Sequence, residues 1–194
     1  MPHLFTCGSV DDDKSTLLGL FLFDTGCRPD DLLAKVTAES QQRRFGGTDC
    51  SLAFDGLINE KARGITIDVA WRYVALGGQP LVLADCPVHT QYTRNMVSAE
   101  PQCDAGILLV DAARGTAAQT RRHLYVCSLM HIVHLFVAVN KIDLVASAAA
   151  AFAALKATVQ ALLAALPHPF DSGVFAPMSG VQRINVVQHA PSGA

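Results

Sequence analysis

The chain has 194 residues, 51% of them apolar and only 16% charged, with a formal net charge of −2. So little net charge gives no basis for a nucleic-acid surface or for attraction to an anionic membrane, and the length suits one domain with a single core. The charged fraction lies below the roughly 25% usual in soluble domains, which predicts an apolar surface suited to a partner or a neighbouring domain.

The six cysteines, at positions 7, 27, 50, 86, 103 and 127, form no Cys-x-x-Cys pair and no metal-ligand spacing. They read as reduced thiols of a cytosolic protein. The N-terminus lacks a charged stretch followed by an apolar one, so no signal peptide is expected. The longest hydrophobic segment, residues 144–155, is too short to span a bilayer. The expectation is a cytoplasmic protein, with one domain over residues 1–187 and a loose, patternless tail over 188–194.

In chain order, residues 3–7 form a short apolar run ending at Gly8, a first strand. Residues 15–23 read as a helix that starts just after a loop. Residues 25–65 are irregular and polar, with Gly46 and Gly47 in their midst. Two strands follow at 67–76 and 81–84, and Gly77 and Gly78 between them predict a hairpin turn. The uninterrupted aliphatic runs 106–110 and 135–139 suit strands buried on both faces. A helix is predicted over 117–129. Another is predicted over 148–166, rich in alanine and leucine and stopped by Pro167. A last short strand is expected at 174–176. Such alternation predicts an α/β doubly wound domain with a mostly parallel sheet and helices on both faces.

Chemistry concentrates at the ends of these strands. Gly8-Ser-Val-Asp-Asp-Asp13-Lys14-Ser15 lies between a strand and a helix. It matches the Gly-x4-Gly-Lys-Ser/Thr phosphate loop except at Asp13, which replaces the second glycine. Backbone N–H groups of such a loop wrap phosphates at a helix N-terminus, the lysine reaches the β- and γ-phosphates, and the hydroxyl binds Mg²⁺. Asn140-Lys141-Ile142-Asp143 follows the strand at 135–139. An Asn-Lys-x-Asp there reads guanine, because the carboxylate accepts hydrogen bonds from the base N1–H and exocyclic amine. Ser179 follows the last strand, where a GTPase places a serine beside the base. Asp85-Cys-Pro-Val88-His89 ends another strand; the GTPase pattern there is Asp-x-x-Gly, with the aspartate supporting Mg²⁺ through water, and Val88 replaces the glycine. Thr66, in Gly64-Ile-Thr66, holds the place of the switch threonine that closes over Mg²⁺. Five motifs in the required order make chance agreement remote.

The sequence resembles the GTP-binding large subunit of bacterial sulfate adenylyltransferase, within the translation-factor type of P-loop G domain. The stretches that carry the resemblance are Cys7-Gly-Ser-Val-Asp-Asp, Asp55-Gly-Leu, Gly64-Ile-Thr-Ile-Asp-Val-Ala, Gln91-Tyr-Thr-Arg-Asn-Met96, Leu109-Val-Asp-Ala, Gln119-Thr-Arg-Arg-His123 and Val139-Asn-Lys-Ile-Asp-Leu. Elongation factor Tu is similar at Glu60-Lys-Ala-Arg-Gly-Ile-Thr66 and in the frame Asp85-Cys-Pro-x-His89, but differs at Ser9-Val-Asp-Asp12.

The resemblance implies a regulatory GTPase that binds GTP and Mg²⁺ and couples GTP hydrolysis to adenylyl transfer from ATP to sulfate on a separate small catalytic subunit. It implies nucleotide contacts at Gly8, Ser9, Val10, Asp11, Asp12, Asp13, Lys14, Ser15 and Thr16. It implies guanine contacts at Asn140, Lys141, Asp143 and Ser179, and metal support from Ser15, Thr66 and Asp85. His89 matches the histidine that orients the attacking water.

Three departures set the expectations to test. Asp13 adds bulk and negative charge beside the β-phosphate, unless its carboxylate turns outward. Val88 restricts the backbone that senses the γ-phosphate. The closing helix of the family's domain, and the barrel domains after it, have no counterpart, so a sheet face around the strands of Val110 and Val139 is expected to expose aliphatic side chains. The alternatives are a pseudo-GTPase interaction module that keeps the fold alone, an inactive fragment, or an elongation-factor-Tu-like GTPase.

Overall fold

The computed structural model describes residues 1–9, 12–25, 68–76, 78–99 and 103–186. Val10, Asp11, Thr66, the glycines at 46 and 47 and the tail over 188–194 lie outside them. The described elements are β1 (His3–Cys7), α1 (Lys14–Asp24), β2 (Ala70–Leu76), β3 (Gln79–Asp85), α2 (Thr93–Ala99), β4 (Ala105–Asp111), α3 (Ala118–Leu129), β5 (His134–Asn140), α4 (Ala148–Ala164) and β6 (Ser172–Pro177). Single 3₁₀ turns at Thr90–Tyr92 and Ile142–Leu144 precede α2 and α4.

Six strands form one sheet in the order β2-β3-β1-β4-β5-β6. Only β2 runs antiparallel, paired with β3 from Ala70 opposite Asp85 to Leu76 opposite Gln79. The hairpin expected from the glycine pair is present, and Gly78 carries a positive φ of 81°. The strand starts later than the pattern from 67 suggests. Asp68 turns its carboxylate onto the N–H of Val69 at 2.8 Å, a local bond that competes with the ladder.

Side-chain parity explains the aliphatic runs. On β4, Leu108 and Val110 face one layer while Ile107 and Leu109 face the other; on β5, Val137 and Val139 oppose Phe136 and Ala138. The first layer is thick. There α3 buries Leu124 and Cys127, α4 buries Leu155 and Val159, and α2 contributes Met96, all against Phe5, Cys7, Val110 and Val139. On α3 the buried positions 120, 123, 124, 127 and 128 follow the i, i+3, i+4, i+7 spacing of an amphipathic stripe. Each fully buried leucine of this layer contributes about 2 kcal/mol. Helix α2 carries no periodic apolar pattern in its sequence; Met96, with no exposure, is its fully buried residue.

On the opposite face, α1 is the one helix among the described residues. It straddles the sheet by two ridges: Leu18 and Leu22 over Val74, Leu81 and Leu83, and Leu17 with Phe21 over Leu109 and Ala138. Beside it an apolar groove of about 340 Å³ runs past Leu17, Phe21, Ile107, Phe136, Ala138 and Val186. Val110 and Val139 are fully buried, and the open stretch belongs to the alternate residues of the same strands, Ile107 and Phe136. Helix α4 stops at Ala164, two residues before the expected end, where Ala165 and Leu166 close onto Leu162 and Leu163 in a tighter turn ahead of Pro167. No helix among the described residues is long and apolar enough to cross a membrane.

Candidate functional site: a nucleotide cleft at the carboxyl edge of the sheet

Parallel strands end at one edge, and each ends here in a polar residue or a turn: Gly8 after β1, Asp85 on β3, Asp111 on β4, Asn140 on β5 and Ser179 after β6. Open α/β sheets place ligand clefts at this edge.

The loop after β1 is pressed against β4. Gly8 has φ 147°, and a Cβ there would lie 2.6 Å from the Leu109 carbonyl oxygen and 2.8 Å from Asp12 Oδ2, so only glycine fits. The Gly8 N–H donates to His123 Nδ1 at 3.1 Å. His123 is fully buried, and that burial, followed by the nearby Lys14 charge, lowers its pKa to about 4. It is therefore neutral. With Nδ1 accepting, Nε2 carries the proton; Gln119 Nε2 stands 2.8 Å from it, so the Gln119 amide turned over, with its oxygen on that side, accepts the bond. Asp12 accepts the Ser9 N–H on its carboxylate, and burial raises it to about 6 despite that bond and the Lys14 charge. Lys14, almost wholly buried, donates to the Ser9 carbonyl at 2.5 Å. Burial lowers its ammonium pKa, against the pull of Asp12 and Asp85.

Next to Lys14, the Ser15 hydroxyl donates to Asp85 Oδ2, and Thr6 Oγ1 holds Asp85 Oδ1 at 2.8 Å. One hydroxyl and one carboxylate in direct contact form the hard-oxygen donor set that Mg²⁺ takes from a protein when phosphate oxygens and waters complete its shell. The residues therefore fit a Mg²⁺–nucleotide. Thr16 lies in the first turn of α1, half-buried. His89 lies past Val88 at the start of the turn leading to α2. Its Nδ1 is buried and is the one such side-chain atom among the described residues without a hydrogen-bond partner; its ring sits 6.1 Å from that of Tyr92.

At the other end of the cleft, Asn140 joins three loops. Its Nδ2 donates to the Asp12 carbonyl at 3.2 Å, and its Oδ1 accepts the Gly180 N–H at 3.2 Å. Ser179, fully buried, accepts the Gln182 N–H on its hydroxyl at 3.0 Å. Ile142 N–H donates to the Met178 carbonyl at 3.1 Å, fixing the turn that carries Asp143. Lys141 Nζ lies 2.9 Å from Asp13 Oδ2 and 3.2 Å from Asp111 Oδ2. Burial opposes its charge, but Asp13 and then Asp111 raise its pKa above the ordinary value. Burial likewise opposes the Asp111 charge, yet the N–H groups of Ala113 and Arg114, with Lys141, hold its carboxyl below the usual range.

Gly8, Ser9, Asp12, Asp13, Lys14, Ser15, Asp85, Asn140, Lys141 and Ser179 thus gather at one edge of the sheet. Among the described residues no hydrogen bond ties His89 to the phosphate loop. Two members were not singled out from the sequence. Asp111 carried a signal, a polar residue ending a buried aliphatic run as Asp85 and Asn140 do. His123 carried a weaker one, the i, i+4 pairing with Gln119 on one helix face.

The family described as elongation factor Tu GTP binding domain matches residues 1–189. Sulfate adenylyltransferase subunit 1 of Psychromonas ingrahamii is 44% identical over 192 residues, 97% of this chain and 40% of that protein. The bifunctional enzyme CysN/CysC of Xylella fastidiosa is 47% identical over 166 residues, 84% of this chain and 27% of that protein. The chain therefore spans well under half the length of these relatives. Among solved structures, the GTP-bound Ski7 GTPase-like domain of S. cerevisiae superposes with a TM-score of 0.82 at 17% identity, over 100% of this chain and 46% of that one. Bacterial selenocysteine-specific elongation factor EF-Sec gives 0.70 at 23%, over 96% and 27%. These two likenesses speak to the fold alone. Sheet order, loop placement and the match over residues 1–189 agree: the chain belongs to the elongation factor Tu GTP-binding domain family.

Proposed function

We propose that the chain is a guanine-nucleotide-binding regulatory domain of a sulfate-activating adenylyltransferase, acting with a small catalytic subunit that forms adenosine 5′-phosphosulfate. The observation that carries the reading is Asn140, whose amide bonds the phosphate loop and the loop of Ser179 at once. Such a junction suits a ligand that is phosphate at one end and base at the other.

In this reading the N–H groups after Gly8, with Lys14, hold the phosphates, and Asp143 selects guanine by accepting from the base edge. Ser15, Asp85 and Thr66 hold Mg²⁺, which supplies charge neutralisation of the phosphates when bound. His89 orients water. The cysteines, without a Cys-x-x-Cys pair or metal-ligand spacing, suit a reducing cytoplasm.

A second reading, a domain that binds guanine nucleotide without cleaving it, is favoured by Val88. A β-branched side chain there stiffens the segment that would respond to a γ-phosphate. Titration with a fluorescent GTP analogue, with and without Mg²⁺ and with ATP as competitor, tests the binding claim. Saturable, Mg²⁺-dependent binding resistant to excess ATP is expected, and ATP binding as tight as GTP would refute the assignment. Single-turnover hydrolysis then separates the two readings.

A further inference from the structure

Asp13 stands where the phosphate-loop pattern has glycine, and its backbone keeps the left-handed conformation that a glycine would take, φ 59° and ψ 39°. Aspartate is one of the few side chains that tolerates this region. Its carbonyl accepts the Leu17 N–H at 2.9 Å, inside the first turn of α1. Its half-exposed carboxylate reaches away from its own loop to Lys141 Nζ, 2.9 Å off. The same ammonium touches Asp111, which the N–H groups of Ala113 and Arg114 fix at the end of β4. A glycine at 13 has no atom to make this contact. One residue earlier, the Asp12 carbonyl accepts from Asn140. Two consecutive residues of the phosphate loop are thus joined to two consecutive residues of the base-reading loop, far away in sequence.

We propose that Asp13 is a positioning residue, a latch that couples the phosphate loop to the base-reading loop through Lys141 and commits its negative charge to that lysine. The proposal rests on the guanine-nucleotide reading for its purpose, though the latch itself is a property of the protein alone. A partly exposed ion pair contributes little to overall stability. Cutting it therefore loosens the coupling between loops and leaves the fold intact. It also removes the reason to expect Asp13 to repel a phosphate.

The test uses the whole 194-residue chain and two readouts. The first is amide hydrogen exchange without nucleotide. Asp13→Asn keeps the side-chain volume, and it should speed exchange at 141–144 at least threefold, while the core of β4 at 107–110 is unchanged. Lys141→Gln should do the same at 12–17. The double variant should be no faster than the faster single one, and Asp13→Glu should recover most of the protection. The second is release of a fluorescent GDP analogue, expected to be about fivefold faster in Asp13→Asn and Asp13→Gly, with the difference shrinking in 1 M NaCl as the ion pair is screened. Unchanged exchange at 141–144 in Asp13→Asn overturns the latch. So does a tenfold tighter nucleotide affinity in Asp13→Gly, which would mean the carboxylate acts by repulsion. If the parent chain binds no guanine nucleotide, the functional reading falls, and the exchange data still decide the latch.

Discussion

The two ends of the cleft are held by different physics. At the base end, Asn140, Ser179 and Ile142 close neutral hydrogen bonds among three loops, each at 3.0–3.2 Å and each with its partner in place. At the phosphate end, buried ionisable groups are set against one another: Asp12 raised, Lys14 lowered, His123 kept neutral. The first arrangement is satisfied as it stands. The second is polarised, and an anion entering it would relieve the burial of Lys14. In the proposed reading, choice of base would then rest on fixed geometry and response to phosphate on charge.

The largest effect should come from exchanging one residue at each end. Lys14→Met is expected to weaken GTP binding at least 100-fold, about 3 kcal/mol, the worth of one or two charged hydrogen bonds. It should lower the melting temperature of the nucleotide-free chain by less than Asn140→Ala does, since relief of a desolvated charge offsets part of the pairing lost with Asp12 and Asp85. Asn140→Ala should lower that melting temperature further, because the Asp12 carbonyl and Gly180 N–H lose their partner, at about 1–3 kcal/mol per buried group. Calorimetry and a binding titration on both variants check the pair; the reverse pattern breaks the comparison.

Base choice comes next. Asp143→Asn should reduce the preference for GTP over ATP by about 10–100-fold, the worth of one unmatched buried polar edge. Competition binding measures it, and an unchanged ratio would remove Asp143 from the site.

The charged end should also show in pH dependence. His123 titrates near 6.5 when unfolded and about 4 when folded, so the unfolded chain binds more protons between those values. Its contribution is full above 6.5 and is lost as pH falls toward 4. Asp12 runs the other way: its pKa is about 6 folded and 3.8 unfolded, so its contribution is present below 3.8 and lost as pH rises through 6. Each slope is at most about 1.4 kcal/mol per pH unit, and between 4 and 6 the two oppose. Relative to the parent, Asp12→Asn should lose stability faster on acidification and His123→Gln more slowly. Melting curves from pH 4 to 7 check this, and slopes of one sign in both variants would contradict the opposed-charge arrangement.

The smallest effect concerns Val88. The parent should bind GTP and GDP within about threefold of each other, because the stiffened segment gains nothing from the γ-phosphate. In Val88→Gly the two affinities should separate. Protection of 86–96 from exchange by GTP but not by GDP in the parent would contradict this.

What could be read from the sequence was what is local. Gly8, Lys14 and Ser15 lie within eight residues of one another, and Asn140 to Asp143 within four, so spacing alone located them. The aliphatic runs at 106–110 and 135–139 announced strands covered on both faces, and parity then divided Leu109 from Val110. What could not be read depends on contacts across the fold. His123 gains its role only when α3 brings it under Gly8. Asp13 faces Lys141 rather than a phosphate because β5 ends beside β1's loop with β4 between them. The helix at Thr93–Ala99 rests on one apolar anchor, too little for a periodic signal.

The position of β1 in the middle of the sheet has a consequence for synthesis. Its two neighbours arrive late: Leu4 pairs with Leu83 on one side and Ala105 on the other. At roughly 5–20 residues per second, a ribosome needs roughly 5–20 s to bring β4 out after β1. Through that interval β1 lacks at least one flanking strand, since β3 emerges before β4, and Gly8 has no Leu109 carbonyl to rest against. The loop after β1 is thus made well before the strand it rests against. That delay, set by strand order alone, makes the nascent chain's need for protection greatest before any ligand could steady it.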